Sequence, residues 1–233
     1  MFGFLLAYVL LAVYRQTPVV GGFDATDALT FTFVAQGLLM VIGIFGDTLI
    51  ADRVRTGDVV SDLHRPVDFQ GWWAADTYGS AAFHAVFRGI PPFLVGALVF
   101  RLRLPPTPAV AVAFIASVAA AVAVGFAWRF LLQMCAFWLL DVRGPNQIGW
   151  LIAQFFAGSF IPIVFFPGWL GQLARVLPFA AMLQTPIEVF LGKHRGLSIL
   201  GAIAGQLAWA AALLAVGRIV LRRALRKLVI QGG

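Results

Sequence analysis

Apolar residues occur along this chain in long runs that are separated by short polar breaks. A helix needs about 20 apolar residues to cross roughly 30 Å of hydrocarbon. Divided on that scale, the sequence predicts an all-α integral membrane protein that forms a single transmembrane domain over residues 1–233. Six helices are predicted to span the membrane, at about 1–14, 29–50, 82–100, 108–140, 148–165 and 199–220.

Two of these runs differ in length from a simple span. At 1.5 Å per residue, the first covers about 21 Å, so either its start is truncated or neighbouring helices support it. The fourth covers about 50 Å, so its end near Trp138 is expected to project beyond the hydrocarbon.

The apolar region 166–192 is interrupted too often to form one membrane helix. Pro167, Pro178 and Pro186 break it, together with two glycines near its start. We interpret it as a re-entrant segment of short helices in the outer leaflet, with Trp169 as an interfacial anchor. The alternative is a loop that packs on the surface of the bundle.

Composition supports a membrane location. The chain is 61% hydrophobic and only 12% charged, with a mean hydropathy of +0.91, which leaves too little polar surface for a soluble globule. The net charge of +7 indicates contact with anionic lipid and not with nucleic acid, because the basic residues lie between apolar runs. Cys135 is the single cysteine, and no signal peptide is expected, because the first run has no basic region before it and no small-residue cleavage site after it.

The basic residues in short loops predict the orientation. More of them fall on the side that carries the C-terminal tail than on the other side, so both termini are predicted to be cytoplasmic. The residues on that side are Arg53, Arg55, Arg65, Arg143, Arg218, Arg222, Arg223, Arg226 and Lys227.

The most polar stretch lies between the second and third predicted spans, at about 52–69. Val59, Val60 and Leu63 share one face of a short amphipathic helix that Pro66 ends. One interpretation is a helix that lies on the membrane interface. The other is a docking surface for a soluble partner.

Several short motifs along the chain resemble, in type and in order, those of ABC-2 type transporter permeases, the membrane subunits of ATP-binding cassette exporters. Gly57, Leu63 and Pro66 match the pattern of their coupling helix. Two departures are the missing amphipathic helix before the first span and Asp52, where many members carry Glu. The other matching motifs are Trp138-Leu-Leu-Asp-Val-Arg-Gly, Phe166-Pro-Gly-Trp-Leu, Leu177-Pro-Phe, Thr185-Pro-Ile-Glu-Val-Phe-Leu-Gly and the basic tail ending in Gln231-Gly-Gly.

The resemblance implies a permease that pairs with a second identical or homologous permease and with separate ATPase subunits in a bacterial plasma membrane. ATP and magnesium would then bind to the ATPase and not to this chain, which lacks a phosphate-binding loop around its Gly192-Lys193 pair. The residues expected to couple to the ATPase are Asp52, Gly57, Val59, Val60, Leu63 and Pro66.

Charged residues inside the apolar runs are candidates for a transport role. Arg129 is expected to line a pathway, to pair with Asp76 or Asp47, or to snorkel to the interface. Asp76, His84 and Arg88 share one face, which we expect to point toward protein. Glu188 is expected to cap a short helix. The three histidines lack the spacing of metal ligands, so no metal site is expected.

Two other functional classes remain open at this point. An ion-coupled secondary transporter is disfavoured by the lack of an internal repeat and by the few acidic residues in the spans. A membrane-embedded enzyme or a structural subunit is the third possibility, although no nucleophile elbow or metal-phosphate motif is present. The sequence does not select a substrate.

Overall fold

The computed structural model describes residues 2–43, 48–139 and 141–226, and these form a mostly helical protein. Asp47, Leu140, Lys227 and the terminal Gln231 motif lie outside this range. The helices are α1 (Phe2–Gln16), α2 (Ala25–Ile42), α3 (Leu49–Thr56), α4 (Val59–Leu63), α5 (Phe69–His84), α6 (Ile90–Val99), α7 (Pro108–Met134), α8 (Arg143–Phe156), α9 (Gly168–Val176), α10 (Gln184–Phe190) and α11 (Leu197–Leu225).

Short elements complete the chain. An antiparallel pair of two-residue strands, β1 (Val19–Val20) and β2 (Phe23–Asp24), precedes α2. A π-helical turn, Ala85–Gly89, joins α5 to α6 into one continuous rod. Turns of 3₁₀ helix lie at Cys135–Phe137 and Ile163–Phe165.

Within the described residues, four helical stretches are long and apolar enough to cross a membrane: Ala25–Ile42, Phe69–Val99, Pro108–Phe137 and Leu197–Leu225. Helix α1 has 15 residues and α8 has 14. At 1.5 Å per residue each covers a little over 20 Å, which is less than the hydrocarbon thickness. The predicted count of six spans is therefore not confirmed.

The predicted run 148–165 is not one continuous helix. Helix α8 ends at Phe156, and Gly158 then adopts a left-handed φ of +80°. Pro162 precedes the next 3₁₀ turn. The backbone therefore turns inside an apolar run, which hydropathy alone cannot reveal.

Local capping explains where several helices begin. Asp24 and Asp27 form a capping box at the start of α2, in which each side chain accepts from the backbone of the other. Asp68 accepts from the Gly71 N–H and so starts α5 at Phe69, earlier than the predicted 82. Thr107 caps α7 in the same way, with Pro108 in the first turn.

The core lies where α2, α7, α10 and α11 meet. Phe31, Ile42, Val124, Met182 and Ile187 are almost completely buried there. Because lipid is as apolar as these side chains, van der Waals packing and not transfer out of water holds the end of the broken region 166–192 against the long helices.

The long helices give the bundle two distinct ends. Residues 48–69, 135–139 and 141–143 lie at one end together with the last turns of α11, and we call this the basic end. Residues 17–24, 100–107 and 191–196 lie at the other, which we call the opposite end. Contacts across each end support this division, including Arg218 with Asp68 and Lys193 with Asp27.

Candidate functional site

The segment between α2 and α5 at the basic end folds as two short helices and not as one helix over 52–69. Helix α3 ends at Thr56, and the left-handed φ of +86° at Gly57, which caps it, directs the chain into α4. A Cβ at this position would meet nothing within 4 Å, so the turn requires glycine for its backbone conformation alone.

An ion-pair cluster fastens α3 to α4. The Arg53 guanidinium contacts both carboxylate oxygens of Asp62, with its Nη2 2.9 Å from Oδ1. Arg65 lies 3.5 Å from the same carboxylate. The Asp62 side chain is only 3% exposed, whereas the side chains of Arg53 and Arg65 are 34% and 43% exposed. A buried carboxylate is therefore paired with two cations at the surface, and the two contacts from Arg53 on α3 fix its position relative to α4.

The apolar stripe of α4 faces the membrane domain. Val59 is 0% exposed, in a cluster with Ile50, Phe130, Met134 and Leu221. Val60 and Leu63 pack against the same cluster and are half-buried. The expected apolar docking surface is corrected here, because packing between α4 and α7 takes the side chain of Val59 away from any partner.

Most of the exposed surface of the segment is polar, although Leu49 and Val67 are also exposed. The exposed polar residues on or next to α3 and α4 are Arg55, Asp58, Ser61, His64 and Arg65, and Pro66 is exposed in the bend that follows. Arg65 also lies over the Trp72 ring, 4.8 Å from its centroid. A partner that approaches this end would meet charges and hydroxyls.

A polar cleft of about 430 Å³ lies beside α3. Asp52 lines it, and its carboxylate accepts from the Thr48 hydroxyl at 2.8 Å and lies 3.6 Å from Arg55. Asp141 and Arg143 line the opposite wall. The cleft thus joins two predicted motifs, the segment at Asp52 and the turn after α7.

Helix α7 holds both sides of the junction between α2 and α3. The Arg129 Nη1 donates to the Gly43 carbonyl at 2.5 Å, at the carboxyl end of α2. One turn later, the Gln133 Oε1 accepts from the backbone N–H groups of Ile50 (2.9 Å) and Ala51 (3.3 Å), in the first turn of α3. A cation at a helix C-terminus and an acceptor at a helix N-terminus both stabilise unpaired backbone groups.

The geometry at Arg129 adds a role that the sequence did not suggest. Arg129 and Asp76 line the same small cavity, with Gln133 and Trp73. The contact of Arg129 with Gly43 makes it a cap of α2, while Asp47 lies outside the described residues. Arg129 and Gly43 are 86 residues apart in the sequence, so no local sequence pattern could have predicted this cap.

Arg88 is exposed on the rod Phe69–Val99, and His84 is half-buried. Asp76 is also exposed, but it lines the small cavity beside Arg129. The expectation that their shared face points toward protein stays a prediction. Few residues of the rod are buried, because it contacts the bundle along one edge, at Gly89 and Gly96.

The broken region 166–192 contains two short helices, α9 and α10, joined through buried residues 178–183. Pro167 precedes α9, Pro178 follows it and Pro186 lies in the first turn of α10, three places where proline is tolerated. Trp169 is 71% exposed.

Glu188 is paired and does not cap a helix, contrary to expectation. Its carboxylate lies 3.3 Å from the Arg175 Nη2 on α9 and 3.3 Å from the His194 Nε2, and it accepts from Gln184 at 2.8 Å. Burial alone would raise the pKa of the Glu188 carboxyl. The contacts with His194, Gln184 and Arg175 outweigh burial and hold that pKa below its ordinary value.

A second polar cluster at the opposite end was missed from the sequence. The Asp27 carboxylate, 2% exposed, lies 2.5 Å from the Lys193 Nζ and 2.8 Å from the Arg103 Nη1. Arg103 also lies 2.9 Å from Asp24. These contacts fasten three loops together. The spacing of Asp24 and Asp27 is typical of a capping box and could have indicated where α2 begins. It could not have indicated that Asp27 pairs with Lys193 and Arg103, which are distant in the sequence.

The described residues contain no group of three or more His, Cys, Asp or Glu side chains placed to hold a metal ion.

Comparison with known proteins decides the family. The family model described as "ABC-2 family transporter protein" matches residues 1–232. The chain belongs to the ABC-2 transporter family. A search of curated proteins and a search of solved structures gave no match.

Membership identifies this ABC-2 chain as a multi-pass membrane component of an ABC transporter and not as the catalytic subunit. The family works with an ABC ATPase and within a lipid bilayer. This agrees with the four apolar helices and gives the geometry at the basic end its functional context.

Proposed function

We propose that this chain is the permease subunit of an ATP-driven exporter in a bacterial plasma membrane, with its basic end and both termini in the cytoplasm. The observation that carries the proposal is the junction between α2 and α3. Helix α7 contacts Gly43 on one side of this junction through Arg129 and the first turn of α3 on the other side through Gln133, so a force applied to α3 would be transmitted to a membrane-spanning helix.

The ATPase subunit would dock on α3 and α4. Buried Val59 and the Asp62 ion pairs make this segment a rigid unit, while its exposed face offers Ser61 and His64 to a partner. The cleft at Asp52 would receive a side chain of the ATPase. ATP and magnesium would bind to that subunit.

A second permease would complete the translocation pathway. The rod Phe69–Val99 and helix α11 expose large apolar residues along their length, including Phe87, Leu94, Leu98, Leu200 and Leu207. In a bilayer such surfaces contact lipid or another subunit. We place the pathway between two copies or between homologous chains.

Region 166–192 would enter the outer leaflet without crossing it. Helices α9 and α10 have nine and seven residues, too few to span. The ion pairs of Glu188 and Asp27 would then close the extracellular end of the permease.

The test is co-purification of a co-expressed ABC ATPase subunit with the tagged chain. His64→Trp puts a large side chain on the exposed end of α4 and is expected to reduce recovery of the ATPase severalfold. Leu104→Trp, at a 66% exposed position of the opposite end, is the matched control and should leave recovery unchanged.

Two results would contradict the proposal. One is that no ATPase co-purifies with the unmodified chain. The other is undiminished recovery with His64→Trp while the variant remains folded, which would exclude docking on α4.

A further inference from the structure

A cavity of about 220 Å³ lies between the broken region 166–192 and α11. Arg175, Glu188 and His194 form the charged part of its lining. The Glu188 carboxylate lies 3.3 Å from a nitrogen of each of the other two side chains. The side chain of Glu188 is 9% exposed and that of Arg175 is 50% exposed. One cavity therefore presents both a cation and a carboxylate.

The rest of the cavity is lined mainly by small and apolar residues. Gly201, Gly205 and Trp209 contribute to it from successive turns of α11. Counted from Leu197, where α11 begins at the opposite end, they lie about 6, 12 and 18 Å along the helix axis. His194 precedes α11, so the charged part lies near the end of the bundle. The apolar part extends from there toward the middle of the membrane.

One polar side chain in this deeper part, Gln206, is hydrogen-bonded within the protein. Its Nε2 donates to the carbonyls of Ser117 (3.1 Å) and Ala181 (2.8 Å), and its Oε1 accepts from the Ser117 hydroxyl at 2.7 Å. Gln206 is 1% exposed. It holds α11 against its neighbours, and the deeper part of the cavity is left suited to a hydrocarbon chain.

The two glycines keep the floor of the cavity open. A Cβ at Gly201 or at Gly205 would meet nothing within 4 Å, and both positions lie inside the regular helix α11. Neither packing nor backbone conformation therefore requires glycine there, although glycine in a helix interior costs about 1 kcal/mol relative to alanine. A larger side chain at either position would occupy the cavity.

A helix of a second subunit is the alternative occupant, because small residues four apart favour close helix packing in membranes. The glycines face region 166–192 of the same chain, which forms the other wall through Ala181. At 3.6 residues per turn, Leu200 and Leu207 lie about 140° and 200° around α11 from Gly205, and they are 63% and 54% exposed. The surface that α11 offers to another helix is thus the leucine face and not the cavity.

We propose that this cavity binds a zwitterionic phospholipid of the surrounding bilayer, with its primary ammonium at Glu188, its phosphate at Arg175 and the start of one acyl chain along the two glycines. Helix α11 covers about 44 Å against roughly 30 Å of hydrocarbon, so its first turn lies near the headgroups of one leaflet. The guanidinium presents paired donors that match a phosphate. Such a lipid would be a structural ligand and not the cargo.

Glu188 would select the headgroup. The lowered pKa of its carboxyl keeps it ionised, so it repels a headgroup that is only anionic. A primary ammonium has three N–H donors for this carboxylate. Choline carries the same charge but has no N–H group to donate. An ethanolamine headgroup is therefore favoured over choline and glycerol headgroups.

The experiment titrates dioctanoyl phosphatidylethanolamine, phosphatidylcholine and phosphatidylglycerol into the purified chain in a neutral detergent, and it measures binding by the ligand-dependent rise in Tm. These lipids share their tails and phosphate and differ in the headgroup. The ethanolamine lipid is expected to bind at least tenfold more tightly than either of the others. Glu188→Gln should reduce this preference to less than threefold. Asp24→Asn, at another arginine-paired carboxylate outside the cavity, should leave the preference intact.

A second pair of variants tests the cavity. Gly205→Leu places a side chain in it without a clash at the Cβ, and Gly79→Leu does the same in open space on the rod Phe69–Val99. Gly205→Leu should weaken binding of the ethanolamine lipid at least tenfold, whereas Gly79→Leu should leave it unchanged. This pair tests the site even if Glu188→Gln does not fold.

Three results would overturn the proposal. Equal binding of the ethanolamine and choline lipids would show that Glu188 does not recognise the headgroup. Unchanged lipid binding by Gly205→Leu would place the lipid elsewhere. Loss of a permease dimer in Gly205→Leu, with the lipid preference kept, would assign this face of α11 to a subunit contact. None of these measurements requires the ATPase, so they are independent of the proposed function.

Discussion

Replacing Gln133 by Met should destabilise the junction between α2 and α3. The side chain keeps a similar length but loses the oxygen that accepts from the Ile50 and Ala51 N–H groups. Both residues are nearly inaccessible, at 3% and 2% exposed, so water cannot readily replace the acceptor. A buried donor that is left unpaired costs about 1 to 3 kcal/mol. Because two N–H groups share the one Gln133 oxygen, we expect its removal to lower the free energy of unfolding by about 3 kcal/mol.

The assay is thermal unfolding of the purified chain in detergent. For a chain of this size, 1 kcal/mol corresponds to about 2 to 4 °C, so the Tm of Gln133→Met should fall by about 6 to 12 °C. Gln133→Glu keeps acceptor oxygens at the N-terminus of α3, so its Tm should decrease less. Gln16→Met, at the exposed last residue of α1, is the control and should change Tm little. A Tm for Gln133→Met equal to that of the control would refute the capping argument.

Three further predictions concern other parts of the chain. Gly57→Ala forces a side chain into a left-handed turn and should cost about 1 kcal/mol in unfolding free energy, whereas Gly79→Ala, in open space on a helix, should not destabilise. Asp27→Asn should leave Lys193 without a carboxylate and lower stability by about 3 kcal/mol, measured by denaturant titration. The pKa of the Glu188 carboxyl is lower in the folded protein than in the unfolded chain, where it is about 4.3. The ionised carboxylate therefore stabilises the fold above the pKa of the unfolded chain, and this stabilisation is lost as the pH falls through the pKa of the folded protein. Glu188→Gln should make the decrease of Tm at acidic pH less steep.

The agreement between sequence and structure is best where a single physical constraint acts. Backbone groups in hydrocarbon must be paired within the helix, so long apolar runs such as Pro108–Phe137 and Leu197–Leu225 were predictable from hydropathy. The break at Gly158 lies inside an apolar run, where a left-handed φ of +80° brings the backbone close to Ile163 and Gln184, and hydropathy does not register such a turn.

The functional geometry depended on distant contacts. The stripe of Val59 and Leu63 was found correctly, but its direction follows from the packing of Phe130 and Met134, which no local pattern encodes. Asp27 and Lys193 are separated by 166 residues, so their pairing was equally hidden.

Helices α3 and α4 are proposed to form the contact with the ATPase at the basic end. This contact is tested by disulfide or short-linker cross-linking from a cysteine at Ser61, in a Cys135→Ser background, to the ATPase in assembled membranes. A cysteine at Trp169, which is 71% exposed in the broken region, is the matched control. We predict ATPase cross-links from position 61 and none from position 169. Cross-links from 169, or none from 61 in a complex that still assembles, would contradict the account.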